Sequence, residues 1–278
     1  CVVQVVSAFS NESLCSLKLP GSGKVLDVKR HVQATLGINV FRQRLIISPA
    51  GPQVEDHEVL ATLPGLLLQL VKLPYRDDDL DGVVNLLRAA EEGTAPDVER
   101  LLRLPLDPDS TRAEDGATAL ILASLGGHPE VAQLLCEAGA DKDKADQDGD
   151  TALMQASRNG RLEVARLLCE AGADKDKANH DGATALCVAS ESGRVEVVHL
   201  LCEAGANKDN ATHKGATALF LASQNGHLEV VRLLRREGAK RDVAMKNGDA
   251  PLFIASQQGH QEVVRLLCDA GAKTCKAR

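Results

Sequence analysis

A chain of 278 residues has room for about two domains, or for one domain and a repeat array, at roughly 150 residues per domain. Its net charge of −7 argues against nucleic acid as a partner, because gripping a phosphate backbone needs a surplus of Lys and Arg. With 44% hydrophobic but only 2% aromatic residues and no Trp, the core must be built from Leu, Val and Ala.

In chain order, residues 2–7 and 14–19 read as two strands about the polar turn Asn11-Glu12-Ser13, a hairpin. Over 25–36 the apolar residues Val25, Leu26, Val28, Val32 and Leu36 fall at helical spacing, and Gly37 stands where a left-handed helix stop costs least. Residues 44–48 and 67–73 supply further strands, with a Pro/Gly turn over 49–52. The most apolar run, 63–73, is too short to cross a bilayer and carries Lys72, so no membrane insertion is expected.

Val28-Lys29, Leu36-Gly37-Ile38, the stretch 43–47 (QRLII), Val54-Glu55-Asp56 and the stretch 68–71 (LQLV) together resemble ubiquitin, in the family's order and nearly its spacing. The resemblance covers residues 1–75 and implies an N-terminal α+β β-grasp (ubiquitin-like) domain. It also implies an apolar patch that partners grip, formed by Ile46 and Val71, with Gln69 where the family usually has His; the bland alternative is that these are ordinary strand residues. Family members conjugated to targets end in Gly-Gly, whereas Leu73-Pro74-Tyr75 here runs on into an acidic stretch. The resemblance therefore points to a fixed docking module, with components of the ubiquitin system as its partners.

Residues 76–83 read as an acidic linker. Residues 84–112 can be laid over the repeat that follows, with one extra residue between Gly93 and Val98, and their polar character suits a degenerate capping repeat.

From residue 113 to 278 a 33-residue unit recurs five times, over 113–145, 146–178, 179–211, 212–244 and 245–277. Gly116, Gly149, Gly182, Gly215 and Gly248 keep this register, as do Leu120, Leu153, Leu186, Leu219 and Leu252. A fixed period of this kind means a stack of helical units, none of which can bury its apolar face alone. In the second copy Asp148-Gly149 is a turn, Thr151 a helix cap, Leu153 and Ala156 the first helix, Gly160 its break, and Val164, Leu167 and Leu168 the stripe of a second helix that Gly172 ends. Cys136, Cys169, Cys202 and Cys268 share one slot; adjacent repeats lie on the order of 10 Å apart, too far for a disulfide, so these are packing thiols. His128, His227 and His260 also share a position, which points to structure rather than chemistry. His180 and His213 occupy neighbouring tips without carboxylate or Cys partners at ligand spacing. With no phosphate loop, nucleophile constellation or metal spacing in the sequence, no enzyme activity, cofactor or metal is expected.

These units resemble the ankyrin repeat. Its Thr-Pro-Leu-His motif stands here as Thr-Ala-Leu-Ile, -Met, -Cys and -Phe from Thr118, Thr151, Thr184 and Thr217, and as Ala250-Pro251-Leu252-Phe253. Its Gly-His-x-Glu-Val survives at Gly127, Gly226 and Gly259, with Arg161 and Arg194 in place of His. The fold class that follows is an N-terminal β-grasp domain and then an all-α ankyrin-repeat solenoid. By this resemblance partners bind the concave face made by finger tips and first helices. The tips are Glu114, Gln147, His180, His213 and Lys246; the second variable set is Leu125-Gly126, Arg158-Asn159, Glu191-Ser192, Gln224-Asn225 and Gln257-Gln258. Variation there fits either recognition or neutral drift on a wet surface. Net charge by repeat runs −4, −2, −3, +3 and, over 245–278, +2, which fits either partner orientation or solubility. The reading is a non-catalytic protein-interaction scaffold or adaptor, a monomer of the cytoplasm or nucleus. The alternative is the targeting or substrate-recognition portion of a larger ubiquitin-system enzyme or ligase complex.

Overall fold

A computed structural model describes residues 2–7, 13–18, 28, 43–47, 67–72, 80–104 and 106–269. The chain divides into two compact units, one of residues 1–86, 96–108 and 137–139, the other of 87–95, 109–136 and 140–278.

The first unit carries a four-stranded sheet made of β1 (Val2–Ser7), β2 (Ser13–Lys18), β3 (Gln43–Ile47) and β4 (Leu67–Lys72), in the order β2-β1-β4-β3. β1 runs antiparallel to β2 and parallel to β4, and β3 runs antiparallel to β4. Each strand lies within one residue of the limits expected from its β-branched and aliphatic run. The helix expected over 25–36 lies outside the described residues except for Val28, which is helical and fully buried. The turns at 11–12 and 49–52 and the stretch 54–56 also lie outside them.

Helix α1 (Leu80–Glu92) begins inside the stretch 76–83 expected as linker. Gly82, Leu86, Ala89 and Ala90 give it a buried face at helical spacing that starts before Val84. Asp81 adds a carboxylate to the first turn, where free amides favour negative charge. A second helix, α2 (Ala95–Leu102), buries Val98, Leu101 and Leu102.

In the second unit five helix pairs follow: α3 (Ala119–Gly126) with α4 (Pro129–Glu137), α5 (Ala152–Arg158) with α6 (Leu162–Glu170), α7 (Ala185–Glu191) with α8 (Val195–Glu203), α9 (Ala218–Gln224) with α10 (Leu228–Arg236), and α11 (Pro251–Gln257) with α12 (Gln261–Asp269). Their core is the aliphatic one that the composition requires. Leu120, Leu153, Leu186, Leu219 and Leu252 are all 2% exposed or less, and Ala123, Ala156, Ala189, Ala222 and Ala255 are sealed, small enough for first helices to approach closely. Val164 and Leu168 of the second helix, with their counterparts in every repeat, are sealed as well. Each buried Leu contributes on the order of 2 kcal/mol. Phe220 is the aromatic exception, packed with Ala216 and Ile254 against Leu221 and Met245.

Thr118, Thr151 and Thr217 cap their helices by accepting from the amides of Ile121, Met154 and Phe220 at 3.3, 3.4 and 3.3 Å. Thr184 makes no such bond, and its buried hydroxyl has no partner among the described residues.

Candidate interaction surface

Between helix pairs the chain folds into short fingers. In the second repeat Asp146 donates its amide to the Asp150 carbonyl at 3.0 Å and Gly149 closes the turn onto the Asp146 carbonyl at 3.0 Å. The Asp146 carboxylate accepts from the amides of Asp148 and Asp150 at 3.0 and 2.9 Å, and Asn179 repeats this with Asp181 and Ala183 at 3.1 and 2.9 Å. These side-chain bonds pin the finger.

Neighbouring fingers are also tied to one another. The amides of Gln147, His180, His213 and Lys246 donate to the carbonyls of Asp115, Asp148, Asp181 and Lys214 at 2.9, 3.1, 2.8 and 2.9 Å. Gly149 shows why glycine sits there: its φ is +83°, and a Cβ would stand 2.7 Å from the His180 amide nitrogen. The structure thus brings the expected tip residues Gln147, His180, His213 and Lys246 into one row, all four exposed.

At the first-helix ends, Glu191, Asn225, Gln257 and Gln258 are exposed, whereas Arg158, Asn159, Ser192 and Gln224 are half-buried. Arg158 turns inward, where its guanidinium donates to the carboxylate of Asp150 at 2.6 Å, and Asp150 is only 4% exposed. Gln155 and Asn179 complete the cluster at 3.3 and 2.8 Å, Asn179 from the next finger. Sequence reasoning passed over Asp150, although it stands where the first, third and fourth repeats have Ala117, Ala183 and Ala216. At the patch expected in the first unit, Ile46 pairs with Gln69 and Arg44 with Val71 across β3 and β4, so the register places Ile46, Gln69 and Val71 at positions of one sheet face.

The shared histidine position proves to be a latch between repeats. His128, His227 and His260 set Nε2 against the carbonyls of Glu91, Glu191 and Gln224 at 3.1, 2.9 and 2.9 Å. A carbonyl only accepts, so each ring must carry its proton on Nε2. Arg161 and Arg194 fill the same slot and donate Nε to the carbonyls of Leu125 and Arg158 at 3.2 and 3.1 Å. At the loops after the second helices, Asp143, Asp176 and Asp209 accept from the amides of Asp174, Asn207 and Lys240, each at 2.9 Å.

Two further features complete the electrostatics. The Arg112 guanidinium, 2.5 Å from Asp115, is the main reason that this carboxyl is lowered to about 2. Burial pushes the thiols of Cys169, Cys187 and Cys202 up, away from the reactive thiolate, and Cys169, Cys187, Cys202 and Cys268 form no disulfide. On the second helices a groove of about 590 Å³ lies across α6, α8 and α10, with Leu162 and Val195 beside Arg166 and Arg232. Among the described residues no cluster of His, Cys, Asp or Glu could hold a metal ion, and no helix is long and apolar enough to cross a membrane.

Helix pairs stacked in register, with variable side chains set out on a repeated frame, define a repeat-protein scaffold for protein–protein interaction. Comparison with protein families agrees. A model of ankyrin repeats in three copies matches residues 86–179 and 206–277, and a single ankyrin repeat matches 181–214. Among solved structures, the chain is similar to an ankyrin repeat domain from Acinetobacter baumannii AYE, with 35% identity and a TM-score of 0.61 over 68% of this chain and 98% of that one. Comparison with curated proteins gave no match. The chain belongs to the ankyrin-repeat family, and no catalytic family is indicated.

Proposed function

We propose that the chain is a non-catalytic adaptor with two docking modules. The face made by finger tips and first helices holds one protein partner, and residues 1–75 form a ubiquitin-like module that docks a second, from the ubiquitin system. The observation that carries the first half is the row of fingers, where backbone bonds hold neighbours in register while Gln147, His180, His213 and Lys246 stand exposed and differ from one another. The second half is supported by a mixed sheet with parallel β1 and β4 at its centre, as a β-grasp requires, and by the register that aligns Ile46, Gln69 and Val71. On this reading the chain works as a monomer in the cytoplasm or nucleus.

Affinity capture with the full chain tests both modules. Combined Gln147→Ala, Asn225→Ala and Gln257→Ala is expected to release one set of partners that Arg166→Ala, in the second-helix groove, retains. Combined Ile46→Ala and Val71→Ala is expected to release ubiquitin-system proteins only. If the first variant captures the same proteins as the unaltered chain, the finger and first-helix face is not the binding surface. If the second does, or if no ubiquitin-system protein is captured at all, residues 1–75 do not dock in this way.

A further inference from the structure

We propose that the finger row is a polarised dock for an extended polypeptide segment, basic where it meets the first three fingers and acidic where it meets the last two. The proposal rests on the adaptor reading above and adds the chemistry and orientation of the partner. Its basis is the order of charges at the exposed finger ends, read over two adjacent positions of the unit: Glu114 at the first tip, Asp148, Asp181 and Lys214 one residue beyond the tips Gln147, His180 and His213, and Lys246 at the last tip. None of these five side chains is in an ion pair among the described residues, whereas Asp115 beside them is already matched by Arg112. The five charges are therefore both exposed and unspent.

Backbone geometry turns this order into a ruler. The four amide-to-carbonyl bonds from Gln147, His180, His213 and Lys246 hold each tip against the one before, so the sign change between Asp181 and Lys214 is fixed in place. Stacked helices lie about 8–10 Å apart, and an extended chain advances about 3.3 Å per residue, so one tip is met by every third residue of the partner. The row then spans about 13 residues of extended chain. At physiological salt, charges are screened over about 8 Å, close to the tip spacing, so each tip acts mainly on its own opposite number. A segment with the same composition in another order would place like charges together and lose that gain.

The test uses the full chain and a labelled peptide of about 13 residues, with lysine at every third position in one half, glutamate at every third position in the other, and serine and threonine between. The reversed sequence is included because tip charges do not set chain direction, and a scrambled peptide of the same composition is the control. Binding by fluorescence anisotropy is expected to be at least about tenfold tighter for one patterned peptide than for the scramble, and to fade at high salt. A variant with Asp148→Lys, Asp181→Lys, Lys214→Glu and Lys246→Glu is expected to reverse the preference toward the peptide with halves exchanged in charge. These side chains are exposed and the rungs use only backbone atoms, so folding is expected to survive, as circular dichroism would verify. Equal binding of patterned and scrambled peptides, or no binding by either, overturns the polarised dock. If that happens while capture still depends on Asn225 and Gln257, the adaptor reading stands and only the partner chemistry falls; if that dependence is absent too, both fall.

Discussion

Asp150 is a buried carboxylate at a position where the first, third and fourth repeats have Ala and the fifth has Asp249. A carboxylate at 4% exposure is tolerated because Arg158, Gln155 and Asn179 donate to it and its own amide is bonded to Asp146. Asp150→Ala strands the Asn179 amide and frees Arg158, and is expected to cost about 1.5–3 kcal/mol in urea unfolding, the scale of hydrogen bonds to a charged group. Asp150→Asn, which keeps the shape, is expected to cost less. Asp115 gives a pH signature instead. Its folded value of about 2 lies below the ordinary 3.8, so its contribution is complete above about pH 4 and is lost as pH falls through 2. Asp115→Asn is expected to flatten that part of the acid limb when stability is followed from pH 5 to pH 2. An unchanged limb would mean that the pairing with Arg112 carries no net stability in the folded chain.

At the scale of the element, the latch explains why one position accepts both His and Arg. The need is for a planar N–H that reaches the carbonyl 36 residues earlier in the chain, and imidazole Nε2 and guanidinium Nε both supply it. His227→Arg is therefore expected to stay within about 0.5 kcal/mol of the parent in thermal or urea unfolding, whereas His227→Ala loses a bond worth about 1 kcal/mol. Gly193, with φ +69°, forms the floor of this slot, and a Cβ there would lie 2.7 Å from the His227 ring. Gly193→Ala is expected to cost more than the His227→Ala change, because it adds backbone strain to the displaced ring. The sequence made the helices legible, since Leu153, Ala156, Val164 and Leu168 recur without exception. It made the shared role of His128, His227 and His260 legible as structural. The slot that Arg161 and Arg194 share with these histidines was legible from the register, but the bond made there was not, because no spacing in the sequence places the carbonyls they reach. Asp150 was hidden for the same reason: its partners lie on a helix turn and on the next finger, and no spacing rule joins them. The row of tips, by contrast, could be read from the 33-residue register alone, but its backbone rungs could not.

Across the whole repeat array, each helix pair buries its apolar residues against its immediate neighbours, so stability is a sum of units and the interfaces between them. Location in the stack then decides what a core cavity does. Leu186, 1% exposed in the third repeat, supports two interfaces; Leu252, 2% exposed in the fifth, belongs to the last helix pair described. Truncating either to Ala removes a similar side chain and costs about 2–5 kcal/mol locally. For Leu252→Ala the loss can be met by opening that pair alone, leaving the four before it stacked. Hydrogen exchange is therefore expected to show lost protection confined to 250–269, with amides of Leu120, Leu153 and Leu186 near their original rates. For Leu186→Ala no such local escape exists, because opening the third pair uncovers the faces of the second and fourth. Protection is expected to fall from the second repeat through the fourth, with a lower urea midpoint for the array. Identical exchange patterns in the two variants would show that the five pairs open as a single unit, and nearest-neighbour coupling would then be too simple a description of this array.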